Sequence, residues 1–474
     1  MSDTPGGTNV QGEAPDAEPV VETEEATLTE DAELERTLGL SGGLAIGIGT
    51  MIGAGIFVFP GLAGGQIGTA ATVSFGIGGV VALLVALPTS ELATAMPKSG
   101  GGYYFISRGL GTLAGTVIGL SLWFGLVFAT AFYLVGLGFY TLDALAEVGI
   151  TISASPGAVV SAIAVLAGIG FTVLNVTGTE NAAKLQNGIV ALLLSMLTAF
   201  LGFGLLEAFG IVDAGTPPGE AANVWEVVPI MSVAALVFTS YLGFAQVATV
   251  AGEMKRPGRN LPLAMIGSVL IVTALYVLTI FVATDIFTQQ QLLDAGETAM
   301  VEVGRQLLGG IGALVIIVGG LLATMSSANA SILSTSRAIY GVSKDALLPK
   351  WASRINLKYG TPHVALGMAG GPVVVLAATR QVQLLAEVAS FLHLIMYGLM
   401  CVALLAIRRD QPEWYDLDFV VPGGPVIPVL GALASFGLIA FMQPTSIVVG
   451  LAVIVGTSGW YFYYARGITL KGAL

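Results

Sequence analysis

Four glycines fall in nine positions of the run Gly47-Ile48-Gly49-Thr50-Met51-Ile52-Gly53-Ala54-Gly55-Ile56-Phe57. Each glycine in a helix interior costs roughly 0.5–1 kcal/mol against alanine. A helix that only had to cross a bilayer would use Leu and Val instead. The run therefore reads as a place where a membrane helix breaks. A break leaves backbone N–H groups free at the start of the following half-helix, where partial positive charge suits an anion. Inside a membrane, such backbone persists only where protein or a water-lined cavity satisfies it. The alternative is close packing through Gly49-x-x-x-Gly53 against another helix.

Two further stretches carry polar groups at mid-membrane depth. Ser240-Tyr241-Leu242-Gly243-Phe244 interrupts an apolar segment and is a second candidate break; the alternative for Ser240 is a bond back to its own helix. Thr324, Ser327, Ser331 and Ser334 share one helix face, with Ser326 beside Ser327. Hydroxyls and a nearby carbonyl are hard oxygen ligands for an alkali cation, but small polar residues also pack helices together. His393 falls in the middle of another apolar segment. It is either a functional ionisable group or a neutral imidazole bonded to its neighbours. Glu387 and Glu91, nearer segment ends, are placed to reach water.

The chain that must position these groups has 474 residues, 55% of them apolar and only 10% charged. Soluble domains carry about 25% charged residues, so this is a polytopic, all-α membrane protein. Sixty-four glycines fit helices that pack closely or break. A single cysteine, Cys401, excludes a disulfide framework, and two histidines leave little for metal or nucleophilic chemistry. No His/Asp/Ser constellation, metal-ligand spacing or phosphate loop points to an enzyme, and no cofactor or nucleic-acid partner is expected. Residues 1–35 hold eleven Asp or Glu and no Lys or Arg. This Gly-, Pro- and Thr-rich tail, 1–36, is expected to be disordered and, lacking a basic n-region, to be retained.

Apolar segments long enough for the roughly 30 Å core fall near 40–62, 70–96, 111–140, 157–176, 185–208, 227–250, 262–284, 307–335, 364–379, 384–407, 426–441 and 446–465. These make twelve transmembrane helices, the ninth and eleventh short. With the N-terminus assigned to the cytoplasm, sixteen of eighteen Lys and Arg lie inside and only Arg305 and Arg380 outside. Both termini are then cytoplasmic. Pro97-Lys98-Ser99-Gly100 reads as a turn, followed by a short interfacial helix over Tyr103 to Arg108. The two candidate breaks lie five spans apart, so they run through the membrane in opposite directions. Paired interruptions of this kind point to inverted repeats with a site at the midplane.

Six stretches in order resemble the amino acid–polyamine–organocation superfamily. They are Gly53-Ala54-Gly55-Ile56-Phe57 with Gly49 before it; Ser90-Glu91-Leu92 through Pro97-Lys98-Ser99-Gly100-Gly101; Tyr241-Leu242-Gly243-Phe244; Glu253-Met254-Lys255-Arg256-Pro257; Ser336-Arg337-Ala338-Ile339-Tyr340 through Leu347-Leu348-Pro349-Lys350; and Tyr359-Gly360-Thr361-Pro362. The resemblance covers about residues 38 to 466. It implies a LeuT-like fold: a first repeat over 37–208, an inverted second repeat over 226–407, and two extra helices over 408–474. It also implies alternating access in a cell-membrane permease for an amino acid or related amine.

In such transporters the substrate carboxylate rests on N–H groups of the first break, here Ile52, Gly53, Ala54, Gly55 and Ile56. The ammonium rests against carbonyls of the second, here Phe238, Thr239, Ser240 and Tyr241, with Phe238 as part of an outer gate. Sodium-coupled relatives hold one ion at positions matching Gly49, Ile52, Ala323, Ser326 and Ser327. Some proton-coupled members place a fifth-span Lys there, where this chain has Leu193. Ala245 stands where many members have an acid. The resemblance thus implies uptake with sodium favoured as the coupling ion. A cation-independent exchanger, and a membrane sensor or channel-like protein, are the alternatives.

Overall fold

The computed structural model describes residues 36, 38–96, 101–150, 152–177, 182–212, 224–356, 358–415, 418–468 and 470, with only the backbone of 182–187. The acidic tail and the turn at Pro97 to Gly100 lie outside these residues.

The first apolar segment folds as α1 (Leu40–Met51) and α2 (Gly55–Ile67), not as one helix. Gly68, at φ 63°, turns the chain, a conformation glycine adopts without strain, and α3 (Ala71–Ala95) returns. The short α4 (Gly101–Gly109) follows, with most of its side chains buried against neighbours. Next come the long α5 (Gly111–Glu147), α6 (Pro156–Thr177) and α7 (Ala182–Ala208).

The sixth segment starts as α8 (Val227–Val237), tightens to a 3-10 helix over Phe238–Ala245, and ends as α9 (Gln246–Thr249). After it come α10 (Pro257–Ile286), which has Pro257 at its first position, and the short α11 (Gln289–Ala295). Then α12 (Ala299–Lys344) bends at Leu308 and Gly309, and α13 (His363–Ala377), α14 (Val382–Asp410), α15 (Val426–Ile439) and α16 (Pro444–Trp460) complete the chain.

By length and composition, nine helical stretches among the described residues can cross a membrane, and three shorter apolar helices accompany them: α1, α13 and α15. The shortfall from twelve has plain causes. The break leaves α1 with 12 residues, and α13 and α15 have 15 and 14, below the roughly 20 needed for an untilted span.

Which helices form the centre follows from which faces are apolar. The helices α2 and α5 are apolar all round and largely buried, as core helices must be, and α1 buries its C-terminal end. Here α5 packs on α12 and α14, α1 on α10, and α3 on α10 and α8. By contrast, α6 and α16 turn large apolar side chains outward: Leu166 is 68% exposed and Val455 69%. Such a surface is unfavourable in water and suits lipid.

Candidate substrate site

Chain chemistry at the first break decides what it offers. Regular bonding ends with Ile52 N–H to Ile48 O and resumes with Phe57 and Val58 N–H, both to Ala54 O. Ile52 has a non-helical ψ of 84°. Between these points only Gly53 N–H finds a backbone acceptor, Met51 O at 2.9 Å. The N–H groups of Ala54, Gly55 and Ile56 donate to no described residue. The carbonyls of Gly49 and Ile52 accept from none. Buried peptide groups are ordinarily paired. A cluster of open donors at the start of α2 beside open acceptors at the end of α1 is a site for a small dipolar molecule.

Glycine is required at two positions by close approach. A Cβ on Gly55 would lie 2.1 Å from Ser240 Oγ, and one on Gly53 would lie 2.7 Å from Ser327 Oγ and 3.2 Å from Tyr133 Cε1. The break is therefore flanked by one hydroxyl from the 3-10 segment and one from α12. Both Ser240 Oγ and Ser327 Oγ are buried without a hydrogen-bond partner. Each such orphan carries a desolvation penalty of about 1–3 kcal/mol, which a bound polar group would relieve.

The second candidate break takes a different form from the first. The backbone does not open there; its winding tightens to i→i+3 bonding, which occupies most of the carbonyls. Of the four residues expected to face the substrate, the structure turns only Ser240 towards the first break. Thr239 Oγ1 donates to Ala386 O of α14 at 2.6 Å. Tyr241 OH donates to Phe75 O of α3 at 2.8 Å. Phe238 is fully buried, edge-on to Tyr397 with ring centroids 6.1 Å apart.

The serine face of α12 divides similarly. Thr324 Oγ1 bonds back to Gly320 O, and Ser331 Oγ accepts from Thr130 Oγ1 of α5 at 2.7 Å. These two pack helices. Ser327 stays open towards Gly53, with Ala323 and Ser326 buried on the same stretch. The α7 residue against Gly49 is Val190, whose Cγ2 would lie 2.5 Å from a Cβ there. Leu193 instead lies near Phe57 and Gly319. The expected register is thus three residues off, and neither Val190 nor Leu193 brings a charge to Gly49. Neutral oxygens are the donor set an alkali cation takes.

A cavity of about 40 Å³ adjoins the break, lined by Thr50, Tyr133, Gln246, Ser327, Ser334 and His393 among others. Tyr133 is a residue that sequence reasoning missed. Its hydroxyl bonds to no described residue, although a tyrosine within a membrane segment ordinarily finds a partner. A Tyr amid the apolar run of α5, one of two with Tyr140, was the available signal. Thr50 Oγ1 lies 2.9 Å from Gly243 O and joins the two interrupted segments.

Tyr276 OH of α10 donates to Met51 O at 2.7 Å and so caps the end of α1. Removing that hydroxyl with Y276F loses one bond, about 1 kcal/mol. We expect a lower thermal midpoint in detergent, read by tryptophan fluorescence, together with weaker substrate binding.

Two carboxylates correct the sequence reading. Neither Glu91 nor Glu387 reaches water; both are fully buried. Glu387 accepts from Gln383 Nε2 at 3.1 Å and Gln443 N–H at 3.0 Å. Glu91 accepts from Arg408, Tyr415 OH and Val421 N–H.

A helical membrane bundle with buried, unpaired peptide groups at a break in its first long segment has the build of a multi-pass membrane carrier of small molecules. A family model described as amino acid permease matches residues 38–470, and the chain belongs to that family. The branched-chain amino acid permease BcaP of Bacillus subtilis (strain 168) is 28% identical over 424 residues, which cover 87% of this chain and 89% of the relative. The serine/threonine exchanger SteT of the same organism is 26% identical, covering 86% and 92%. The methylthioribose transporter, again of that organism, is 26% identical, covering 87% and 89%. The chain is a transporter of this family and not an enzyme.

Proposed function

We propose that the chain carries an amino acid, or a related amine, inward across the cell membrane by alternating access. One observation carries the reading: the N–H groups of Ala54, Gly55 and Ile56 are open at a break where the unpartnered hydroxyl of Ser240 comes close to Gly55. The substrate carboxylate rests on these N–H groups, and its ammonium lies towards the 3-10 segment. That segment offers fewer free carbonyls than an open break, so Ser240 and Tyr133 share in holding the substrate. The names of the relatives span branched-chain amino acids, serine and threonine, and methylthioribose, so cargo follows the side-chain pocket and not the break. The finer architecture belongs to the same reading. It has twelve spans in two inverted five-helix repeats (37–208 and 226–407), two further helices (408–474), and both termini in the cytoplasm.

Sodium is the proposed coupling ion, held by the carbonyls of Gly49, Ile52 and Ala323 and the hydroxyls of Ser326 and Ser327. The unpartnered Ser327 Oγ close to Gly53, and the open carbonyls of Gly49 and Ile52 in the same break, support it. Uptake of labelled leucine and serine into proteoliposomes, with and without a sodium gradient, tests both claims. Sodium-independent uptake removes the coupling claim and leaves an exchanger. Binding without saturable, concentrative uptake leaves a sensor or channel. S327A removes one oxygen ligand, and we expect sodium-stimulated uptake to fall while sodium-independent binding of the same amino acid persists.

A further inference from the structure

His393 is the one basic side chain at mid-span on α14, and the proposed transport cycle does not use it. Its Nδ1 lies 2.8 Å from Ala389 O. A carbonyl can only accept, so Nδ1 carries the hydrogen and Nε2 carries the lone pair. An imidazole serving only the core would have both nitrogens bonded. Here Nε2 bonds to no described residue, and the ring lines the cavity that adjoins the break, together with Thr50, Gln246 and Ser334.

No carboxylate, ammonium or guanidinium lines that cavity. Around His393, α5 brings Tyr133 to the cavity, and Tyr397 of α14 lies edge-on to the imidazole, with the His393 and Tyr397 ring centroids 6.1 Å apart. The 3-10 segment brings Tyr241, bonded to Phe75 O. The charges on the other elements packed against α14 are engaged elsewhere: Glu91 of α3 with Arg408, and Arg108 of α4 near Asp345 at 3.7 Å. Glu387, on α14, is bonded to Gln383 and Gln443. The helices α8, α15 and α16 carry no charged residue. No side chain on the lining other than His393 would then carry a formal charge, and the one other charge beside it would be a sodium ion held at Gly49 and Ser327.

We propose that His393 Nε2 is a proton-binding site that faces the cavity, and that its proton holds the cavity open. The proton comes from water in the cavity, and the Nε2 lone pair forms the new N–H bond. An imidazolium with no negative partner is tolerated where water reaches it and is disfavoured where water is excluded. The open-cavity state therefore binds more protons than the closed one. By linkage, a fall in pH favours the open state and slows the closing step of each turnover. The effect on turnover rests on the transport reading; the proton site itself does not.

The chain has two histidines, His363 and His393, so the imidazole nitrogens of the ¹⁵N-histidine-labelled full chain in detergent can be read directly, with H393N assigning the signal. In H393N the amide nitrogen replaces Nδ1 as donor to Ala389 O but cannot titrate. We expect the Nε2 resonance of His393 to move towards its protonated position as the pH is lowered. With equal pH on both faces of proteoliposomes, wild-type uptake of labelled leucine or serine should fall about fivefold or more towards acid pH, and H393N should flatten that fall. A resonance that stays constant as the pH is lowered overturns the proton site. The same pH profile in wild type and H393N, or no acid fall in wild type, overturns its role in turnover. Absence of uptake at every pH, with the resonance still titrating, strikes the transport reading and not the proton site.

Discussion

Replacing Gly55 by leucine is expected to abolish uptake while leaving a folded protein. The first carbon of any side chain at this position would meet Ser240 Oγ at 2.1 Å, Ser240 Cβ at 3.1 Å and Phe59 Cδ2 at 3.3 Å. Ser240 is buried and its hydroxyl unpartnered, so it can rotate from a methyl group but not from an isobutyl group. The leucine side chain then fills the space in front of the Ala54, Gly55 and Ile56 N–H groups, where the carboxylate is proposed to lie. Displacement of a substrate by about 1 Å can lower turnover about a hundredfold, and exclusion lowers it further. G55A should fall between wild type and G55L, because one methyl group displaces the serine hydroxyl without filling the gap. Uptake into proteoliposomes gives the readout, with the thermal midpoint in detergent as the folding control. Normal transport by G55L rejects the first-segment site.

The largest loss of stability is expected at Glu91. Its carboxylate lies at the end of α3, fully buried, and accepts from Arg408 Nε at 2.7 Å, from Arg408 Nη2, from Tyr415 OH and from Val421 N–H at 2.6 Å. Arg408 also donates through Nη1 to Gly424 O at 2.6 Å. One carboxylate thus ties α3 and α14 to the segment that leads into α15. Burial, then the bond to Glu91, raises the Tyr415 phenol well above its ordinary range, so it remains a donor at any working pH. The Arg408 side chain is 19% exposed, too little for water to replace a lost partner fully. Removing one member of such a pair costs about 3–5 kcal/mol. E91A should lower the thermal midpoint sharply. E91Q should lower it less, since an amide oxygen still accepts from the guanidinium. A midpoint unchanged in E91A would show that the network contributes nothing net.

How much of this was legible in the sequence depends on the range of the cause. The break at Ile52 to Ala54 was readable because glycine density is local and its helix cost is intrinsic to the backbone. The position of the second interruption was readable from Ser240, but its form was not. Whether a polar stretch opens or tightens is set by neighbours such as Ala386 and Phe75, which bond Thr239 and Tyr241. The four aligned hydroxyls of α12 were visible as a face. Their division into packing groups and open groups depends on Thr130 and Gly53, far away in the chain. The fates of Glu91 and Glu387 were hidden for the same reason. Arg408 lies 317 positions from Glu91, and no periodicity reports such a pair. Val190 in place of Leu193 was an error of helix register, which spacing alone does not correct.

The central claim is that bare peptide groups at the first break hold the carboxylate of an amino acid. The most direct measurement is ligand-induced thermal stabilisation of the full chain across the standard amino acids, followed by the methyl ester and the decarboxylated amine of each one that stabilises. The account predicts that at least one amino acid raises the midpoint and that both of its derivatives fail to do so. A midpoint raised equally by the ester and by the free amino acid would contradict it.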